Sequence, residues 1–390
     1  MRSWGWGMRV SASVAAVAAS VLATGCAAAD PAPGNPVCGF WYAIGQTPTT
    51  EQIDSVAKSV SIVVLNAWDT DARARLKADN PAATALVYKD MSSTRNYAGA
   101  VTAGKDDAKL PSGVGYVAAP QSWFATGADG ARIQWKQYPG HWQMAVWSPG
   151  YRTAWVNAVS GEVAADGWDG VLADNDLSTL SVYSPELLRG TRTHAATDAR
   201  LTSGLTSLVN AAGTELQSKG KLFVPNIASA RLGDPRWNSH SRFGGAMAEF
   251  FTSAEGKTAQ LGDFTSAAVA PGNGEYRLLI TQADNDAERE TGYATAALVS
   301  TPKTCWTSAQ NGDYKAVPDT KYTSLPLGAA TGQASAAADG VWQRTFSGGR
   351  VVVNPTGKPA AVAVGPGEHR PDGSAPPMTL PARTGWVLLG

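Results

Sequence analysis

The sequence predicts an α/β protein: a (β/α)8 TIM barrel followed by a small antiparallel β-sandwich domain. Three observations predict it. Short continuous apolar runs alternate with segments whose apolar residues recur at helical spacing, as in buried parallel strands joined by crossover helices. The runs end abruptly in polar side chains, and parallel strands bind ligands at their carboxyl ends. After residue 335 the apolar period changes to two, the pattern of half-exposed antiparallel strands.

The first strand is read at residues 40–44 (Phe-Trp-Tyr-Ala-Ile), carrying Tyr42. A helix follows with Thr50 as its N-cap and Ile53, Val56, Ala57 and Val60 on one face. Residues 61–65 form a second strand ending at Asn66 and Trp68, and 70–78 a second helix stopped by Asn80-Pro81. Strand three, 85–88, ends in Lys89-Asp90. The rhythm then breaks. Residues 91–148 show no apolar helix, but 123–147 hold Trp123, Trp135, Trp142 and Trp147 together with Tyr138 and His141, and a hairpin signal at Gly127-Ala128-Asp129-Gly130. This reads as an elaborated loop whose aromatics, Trp142 among them, serve either as a sugar-stacking wall or as the loop's own small core.

A helix over 149–165 delivers the chain to Gly-Trp-Asp-Gly-Val-Leu-Ala-Asp-Asn-Asp, residues 167–176. This is strand four, ending in Asp174-Asn175-Asp176. A long helix over 197–219 leads to strand five (221–224), ending in Pro225-Asn226. Strand six (244–248) ends in Glu249-Phe250-Phe251, and strand seven (276–281) in Gln282-Ala283-Asp284. The last strand falls within 299–307. Eight such units fit the roughly 250 residues of a TIM barrel. The expected organisation is a signal peptide (1–25), a tether (26–37), the barrel (38–310), a linker (311–335) and the β domain (336–390).

Composition narrows the function classes. With 44% hydrophobic and 16% charged residues the chain can bury a large core. Residues 1–25 carry Arg2 and Arg9 and no acid, leaving 30 basic against 32 acidic residues, net −2. Nothing here offers a nucleic-acid footprint. The 13-residue apolar stretch Ser11 to Ala23, which runs into Leu22-Ala23-Thr24-Gly25-Cys26, is too short to span a bilayer and reads as an export signal. The segment resembles a bacterial lipobox, which makes Cys26 the lipidated residue, a membrane anchor at the outer face of the cell membrane; plain secretion is the alternative. Outside the reducing cell the remaining cysteines, Cys38 and Cys305, are expected to pair, because the first and last strands of a closed barrel are neighbours.

Carboxylates, amides and an aromatic gather at the strand ends: Tyr42, Asn66, Asp90, Asp174, Asn175, Asp176, Asn226, Glu249, Gln282 and Asp284. Cleaving a glycosidic bond needs two carboxyl groups, one ionised and one protonated. Asp174 and Glu249, two βα units apart, can face each other across the mouth. Glu249 sits between Ala-Met-Ala and Phe-Phe, a setting that raises a carboxyl pKa. The other strand-end residues and Trp142 are candidate sugar contacts. The four histidines, His141, His194, His240 and His369, show no metal-ligand spacing, and no phosphate-cradling or nucleophile-elbow motif is present. Neither a metal nor another cofactor is expected.

Three stretches carry a family resemblance: residues 167–176, Ala-Met-Ala-Glu-Phe-Phe at 246–251, and the closing segments 342–355 and 380–386. On these the chain resembles the hypothetical glycosyl hydrolase family fifteen, grouped with α-galactosidase-like barrels, over about residues 38–390. The resemblance implies a glycoside hydrolase with Asp174 as nucleophile and Glu249 as proton donor, acting with retention; Glu249 stands where relatives often carry Asp. The expected function is hydrolysis of an extracellular glycan. The competing readings are a non-catalytic carbohydrate-binding lipoprotein on the same scaffold and a structural envelope protein without a cleft.

Overall fold

A computed structural model describes residues 34–227, 230, 234–254, 257–258, 275–310 and 312–390. The signal segment 1–25, Cys26 and most of the tether lie outside the described residues.

Eight parallel strands form a ring: β1 Cys38–Ala43, β2 Ile62–Leu65, β3 Thr84–Asp90, β4 Gly170–Asp174, β5 Leu222–Pro225, β6 Gly245–Ala248, β7 Tyr276–Gln282 and β8 Thr304–Ala309. Neighbours in the ring follow chain order, and β8 returns to pair with β1. The remaining gap, between β5 and β6, is bridged at Phe223–Gly244 and Asn226–Met247. Cys38 and Cys305 are register partners on β1 and β8 and form a disulfide.

Strand parity decides what each side chain faces. One set of alternate residues, including Phe40, Ile62, Leu86, Leu172, Val224, Met247 and Leu278, packs in a single cluster inside the ring. The intervening residues, among them Val63, Val87, Val171 and Phe223, pack outward in the cluster that holds the flanking helices. A strand has a side-chain period of two. Continued to the carboxyl ends, the inward positions become Asn66, Asp90, Asp174, Asn226, Glu249 and Gln282. Apolar layers thus fill the barrel and a polar layer closes its mouth.

The crossover helices are α1 Thr50–Val56, α2 Thr70–Asp79, α3 Pro149–Ala165, α4 His194–Ser218, α5 Arg236–His240 and α6 Asp286–Leu298. The cap of α1 is Thr49, not Thr50: its hydroxyl accepts the Gln52 N–H and the Gln52 side chain accepts the Thr49 N–H, a capping box. Between β3 and α3 the chain makes its long excursion, pinned by a ribbon that pairs Ser93–Arg95 with His141–Gln143. The four excursion tryptophans all join the outward cluster.

The closing domain is a sheet of β9 Ser335–Ala336, β10 Trp342–Phe346, β11 Gly349–Asn354 and β12 Thr384–Leu389, antiparallel in that order. Val351, Val353, Val387 and Leu389 pack in one cluster with α6 residues. Val352, Trp386 and Leu388 turn the other way, onto Val341, Val362 and Leu380. A ribbon of Ala360–Ala361 with Thr379–Leu380 lies on that second face. Helix α6 is therefore buried along most of its length between barrel and sheet, and nine of its residues are buried. Arg344 of β10 donates to the carbonyls of Leu298 and Ser300 (3.2 and 2.8 Å), closing the C-terminal end of α6. The stretch expected to be a linker packs on the barrel as well: Tyr322 stacks on Tyr293, and Leu327 is fully buried.

The disulfide closes a loop of 267 residues and ties the first barrel strand to the last. Replacing Cys38 and Cys305 by Ser is expected to lower stability by about 2–5 kcal/mol. Chemical denaturation of the double variant against the oxidised protein checks it.

Candidate functional site

The mouth of the barrel is organised by Asn226. Its Nδ2 donates to Asp174 Oδ1 at 2.8 Å and to Glu249 Oε2 at 2.7 Å. These two oxygens stand no farther apart than the two bonds laid end to end. Asn226 is itself buried and fixed by its backbone, whose N–H donates to Ala173 O and whose carbonyl accepts from Asp176 N–H. Three adjacent strands, β4, β5 and β6, thus contribute carboxylate, amide and carboxylate.

Each carboxylate has further donors. Tyr88 of β3 donates its hydroxyl to Asp174 Oδ2 at 2.6 Å, and the Asn175 N–H donates to Oδ1 at 2.8 Å. Asn175 holds a left-handed backbone at φ +67°, a conformation uncommon outside glycine and concentrated at functional sites. Its side chain accepts the Tyr183 hydroxyl at 2.9 Å. Tyr314 donates to Glu249 Oε1 at 2.6 Å, and Gln282 holds Tyr314 with a 2.8 Å bond from Nε2.

The electrostatics separate the two acids. Burial, and then the charge of Asp174, push the Glu249 carboxyl up to about 7. Burial and then Asp90 raise Asp174 from its ordinary value, opposed by hydrogen bonds from Tyr88, Asn226 and the Asn175 backbone. Burial holds the hydroxyls of Tyr42, Tyr88, Tyr183 and Tyr314 protonated, reinforced by the carboxylates they face. His141 is pressed down to about 4 by burial and then by Arg95, so it is neutral near pH 7.

Aromatic rings line this pair. Tyr42 meets Tyr314 edge-on at 4.9 Å between centroids. On the excursion side His141 sits 5.4 Å from both Tyr97 and Tyr138, and Tyr138 packs against Tyr183. Tyr97 and Tyr138 are exposed. Tryptophan stands behind this surface: Trp135 is fully buried beneath Tyr183, ring on ring at 4.0 Å.

The structure brings Tyr42, Asp174, Asn175, Asn226, Glu249 and Gln282 together. Five expected sugar contacts are placed otherwise. Asp90 is completely buried, and its oxygens accept from the Ser92 and Ser93 N–H groups and the Ser93 hydroxyl. Asn66 is buried and spent on Asp69, Gln46 O and the Gly45 N–H. Asp176 is turned away by the left-handed Asn175, and its oxygens pair with Arg236 at 2.8 Å and His240 Nδ1 at 2.6 Å. Trp142 lies across the ribbon from Thr94, one residue out of phase with the Arg95–His141 pair, and packs on Tyr116. Asp284 is exposed on the rim beside the start of α6. Residues the sequence did not single out are Tyr88, Arg95, Tyr183 and Tyr314, while Tyr138 and His141 entered as members of the excursion's aromatic cluster. Tyr88 was reachable by parity, two residues before Asp90 on an inward row. Among the described residues no group of three His, Cys, Asp or Glu side chains is arranged to hold a metal.

A carboxyl held at about 7 in the folded protein, and at its ordinary lower value unfolded, favours folding less as pH rises. Below about pH 4.5 both states hold the proton and nothing is lost; between there and about 7 only the unfolded chain gives it up. The variant Glu249→Gln cannot ionise. Its Tm is expected to match the wild type at low acid pH, pull ahead as pH rises toward 7, and keep a constant lead above. Thermal melts across pH check it.

The model of hypothetical glycosyl hydrolase family 15 matches residues 77–350, well over half of the chain. Among curated protein sequences none matches. Solved structures similar to this chain include Ega3 of Aspergillus fumigatus in complex with galactosamine, at 15% identity and a TM-score of 0.44, covering 72% of this chain and 93% of that one. Isomaltulose synthase from Klebsiella sp. LX3 is similar at 11% identity and a TM-score of 0.49, covering 90% and 98%. An alpha-amylase from Geobacillus thermoleovorans complexed with acarbose is similar at 12% identity and a TM-score of 0.41, covering 87% and 90%. The chain belongs to the hypothetical glycosyl hydrolase family 15, and so to the glycoside hydrolases.

Proposed function

We propose that the protein is a retaining glycoside hydrolase acting on an extracellular glycan, with Asp174 as nucleophile and Glu249 as acid/base. The observation that carries the reading is the single Asn226 amide shared between the two carboxylates. It keeps the two bonded oxygens no more than about 5.5 Å apart, which favours the ~5–5.5 Å spacing of a retaining pair over the ~6.5–9.5 Å that an inverting pair needs to seat a water. In the first step Asp174 attacks the anomeric carbon while Glu249 passes its proton to the departing glycosidic oxygen. In the second, Glu249 takes a proton from water, which attacks the anomeric carbon and frees Asp174. The division of labour fits the electrostatics. Glu249, near 7, is protonated enough to donate and ionised enough to accept. Asp174 receives three hydrogen bonds that favour its anion. Tyr138 and Tyr183 offer aromatic surface to a sugar, with the buried Tyr42 beneath the acids.

The compartment belongs to the same reading. The expected export signal and the lipobox-like Cys26 support a location at the outer face of the cell membrane, and the Cys38–Cys305 disulfide fits an oxidising compartment. Cys26→Ser is expected to abolish incorporation of labelled palmitate and to release the protein from the membrane fraction. Labelling and fractionation of the producing cells check it.

A panel of chromogenic glycosides and defined oligosaccharides, screened with purified protein, tests the activity. Asp174→Asn should stop turnover. Glu249→Gln should lose about 10²–10⁴-fold on substrates with poor leaving groups and much less on nitrophenyl glycosides, which need little proton assistance. The wild-type kcat/KM should fall on the alkaline side with a midpoint near 7, and proton NMR of the first-formed sugar should show retained configuration. Undiminished turnover by Asp174→Asn rejects the assignment.

A further inference from the structure

The ribbon that pins the excursion carries a buried cation to the site. Register partners on paired antiparallel strands share a face, and Arg95 is the partner of His141. Arg95 is nine-tenths buried. One of its terminal nitrogens donates to the Tyr88 hydroxyl at 3.1 Å, the hydroxyl that itself donates to Asp174 Oδ2 at 2.6 Å. The other reaches the Tyr97 hydroxyl at 3.4 Å. Asp90 Oδ2 lies 3.6 Å from the guanidinium, and the guanidinium carbon stands 5.6 Å from the centre of the Tyr88 ring. The result is a chain from cation through phenol to carboxylate, with a second carboxylate at the cation's side.

Burying a charge is costly unless its surroundings answer it. Arg95 is answered by Asp90 and two phenol oxygens, and two effects on Asp174 follow. A phenol oxygen that accepts from a guanidinium gives its own proton more strongly, so the Tyr88 bond favours the Asp174 anion more. The cation also offsets Asp90, whose charge otherwise opposes that of Asp174. The remaining charged or titratable groups near Asp174 are Glu249 beyond β6, Tyr42 on β1, Tyr138 and His141 on the excursion, Tyr183 after β4 and Tyr314 after β8. Among these named groups none but Arg95 is a permanent cation.

We infer that Arg95 is a positioning residue that keeps Asp174 ionised, acting through the Tyr88 hydroxyl and by offsetting Asp90. Its relevance to catalysis rests on the reading of Asp174 as nucleophile, but the inference itself concerns the ionisation of Asp174 and needs no substrate to test.

The full-length mature protein is labelled with ¹³C at the aspartate carboxyl carbon, and the Asp174 resonance is identified by its loss in Asp174→Asn. Its titration midpoint is then followed in wild type, Arg95→Gln, Arg95→Lys and Tyr88→Phe, each first shown to melt cooperatively. Arg95→Gln keeps a donor and loses the charge; the midpoint should rise by about one pH unit or more. Arg95→Lys keeps the charge and should restore most of the wild-type value. Tyr88→Phe removes the relay and the direct bond to Asp174 and should also raise the midpoint. Should Arg95→Gln fail to fold, the other two variants decide between them. A midpoint that stays at the wild-type value in Arg95→Gln or in Tyr88→Phe overturns the inference, as does a Lys variant displaced far from wild type. Wild-type protein that titrates as described yet cleaves no glycoside leaves this inference standing and rejects the hydrolase reading.

Discussion

One amide group governs the mouth of this barrel. The two hydrogens on Asn226 Nδ2 point at two carboxylates that would otherwise drift apart by repulsion or draw water between them. That geometry is available only because β5 lies between β4 and β6, so the amide emerges from between the two strands that carry the acids. The bridges between β5 and β6 are two isolated contacts rather than a continuous ladder. The Asn226–Met247 bridge, with the Ile227 N–H donating to Met247 O at 2.9 Å, sits at the amide itself. Closing the barrel and pairing the acids are therefore one structural event.

The same amide makes the acids unequal. It donates to both, so it does not discriminate between them. The difference arises from what surrounds each. Asp174 collects a phenol and a backbone N–H in addition to the amide, while among the described residues Glu249 adds Tyr314 alone. Asp174 is the better-solvated anion by protein groups, and its charge then holds the proton on Glu249. Two carboxylates at such a distance do not both ionise freely, and the larger set of donors favours the anion at Asp174.

Much of this was legible in the sequence because parallel strands obey a simple rule. An apolar run that stops at a polar residue places that residue at the mouth, and Asp174, Asn226, Glu249 and Gln282 all follow it. The rule failed where the backbone leaves the strand. Asp176 has the same parity as Asp174, but Asn175 takes a left-handed turn between them and sends Asp176 to Arg236 and His240. Asp90 obeys parity and is nonetheless completely buried, since the chain folds over it and Ser92 and Ser93 take its oxygens. The excursion was opaque for a related reason. Without a period, nothing in the sequence says which side of a ribbon faces the site, and the register puts Arg95 and His141 there while Trp142 packs behind. The tryptophans supplied the loop's core and the tyrosines its working surface, as their polar tips would favour.

Tyr314 carries the argument to the far end of the chain. It lies in a stretch whose polar, Gly/Ala-rich composition reads as a linker, yet its hydroxyl sets the environment of Glu249 and its carbonyl accepts from Trp41 Nε1 at 3.2 Å. A loop can hold a phenol at hydrogen-bond distance only if both its ends are fixed. One end is β8, locked to β1 through the disulfide. The other runs through Tyr322 and Leu327 into the closing sheet, and that sheet is fastened to α6 by a shared apolar cluster, by Arg344 on the helix end and by Arg370 on the buried Glu290. Helix α6 has too little polar surface to stand in water on the side the sheet covers. The closing domain is thus part of the barrel's own folding, and through Tyr314 it bears on the carboxyl of Glu249.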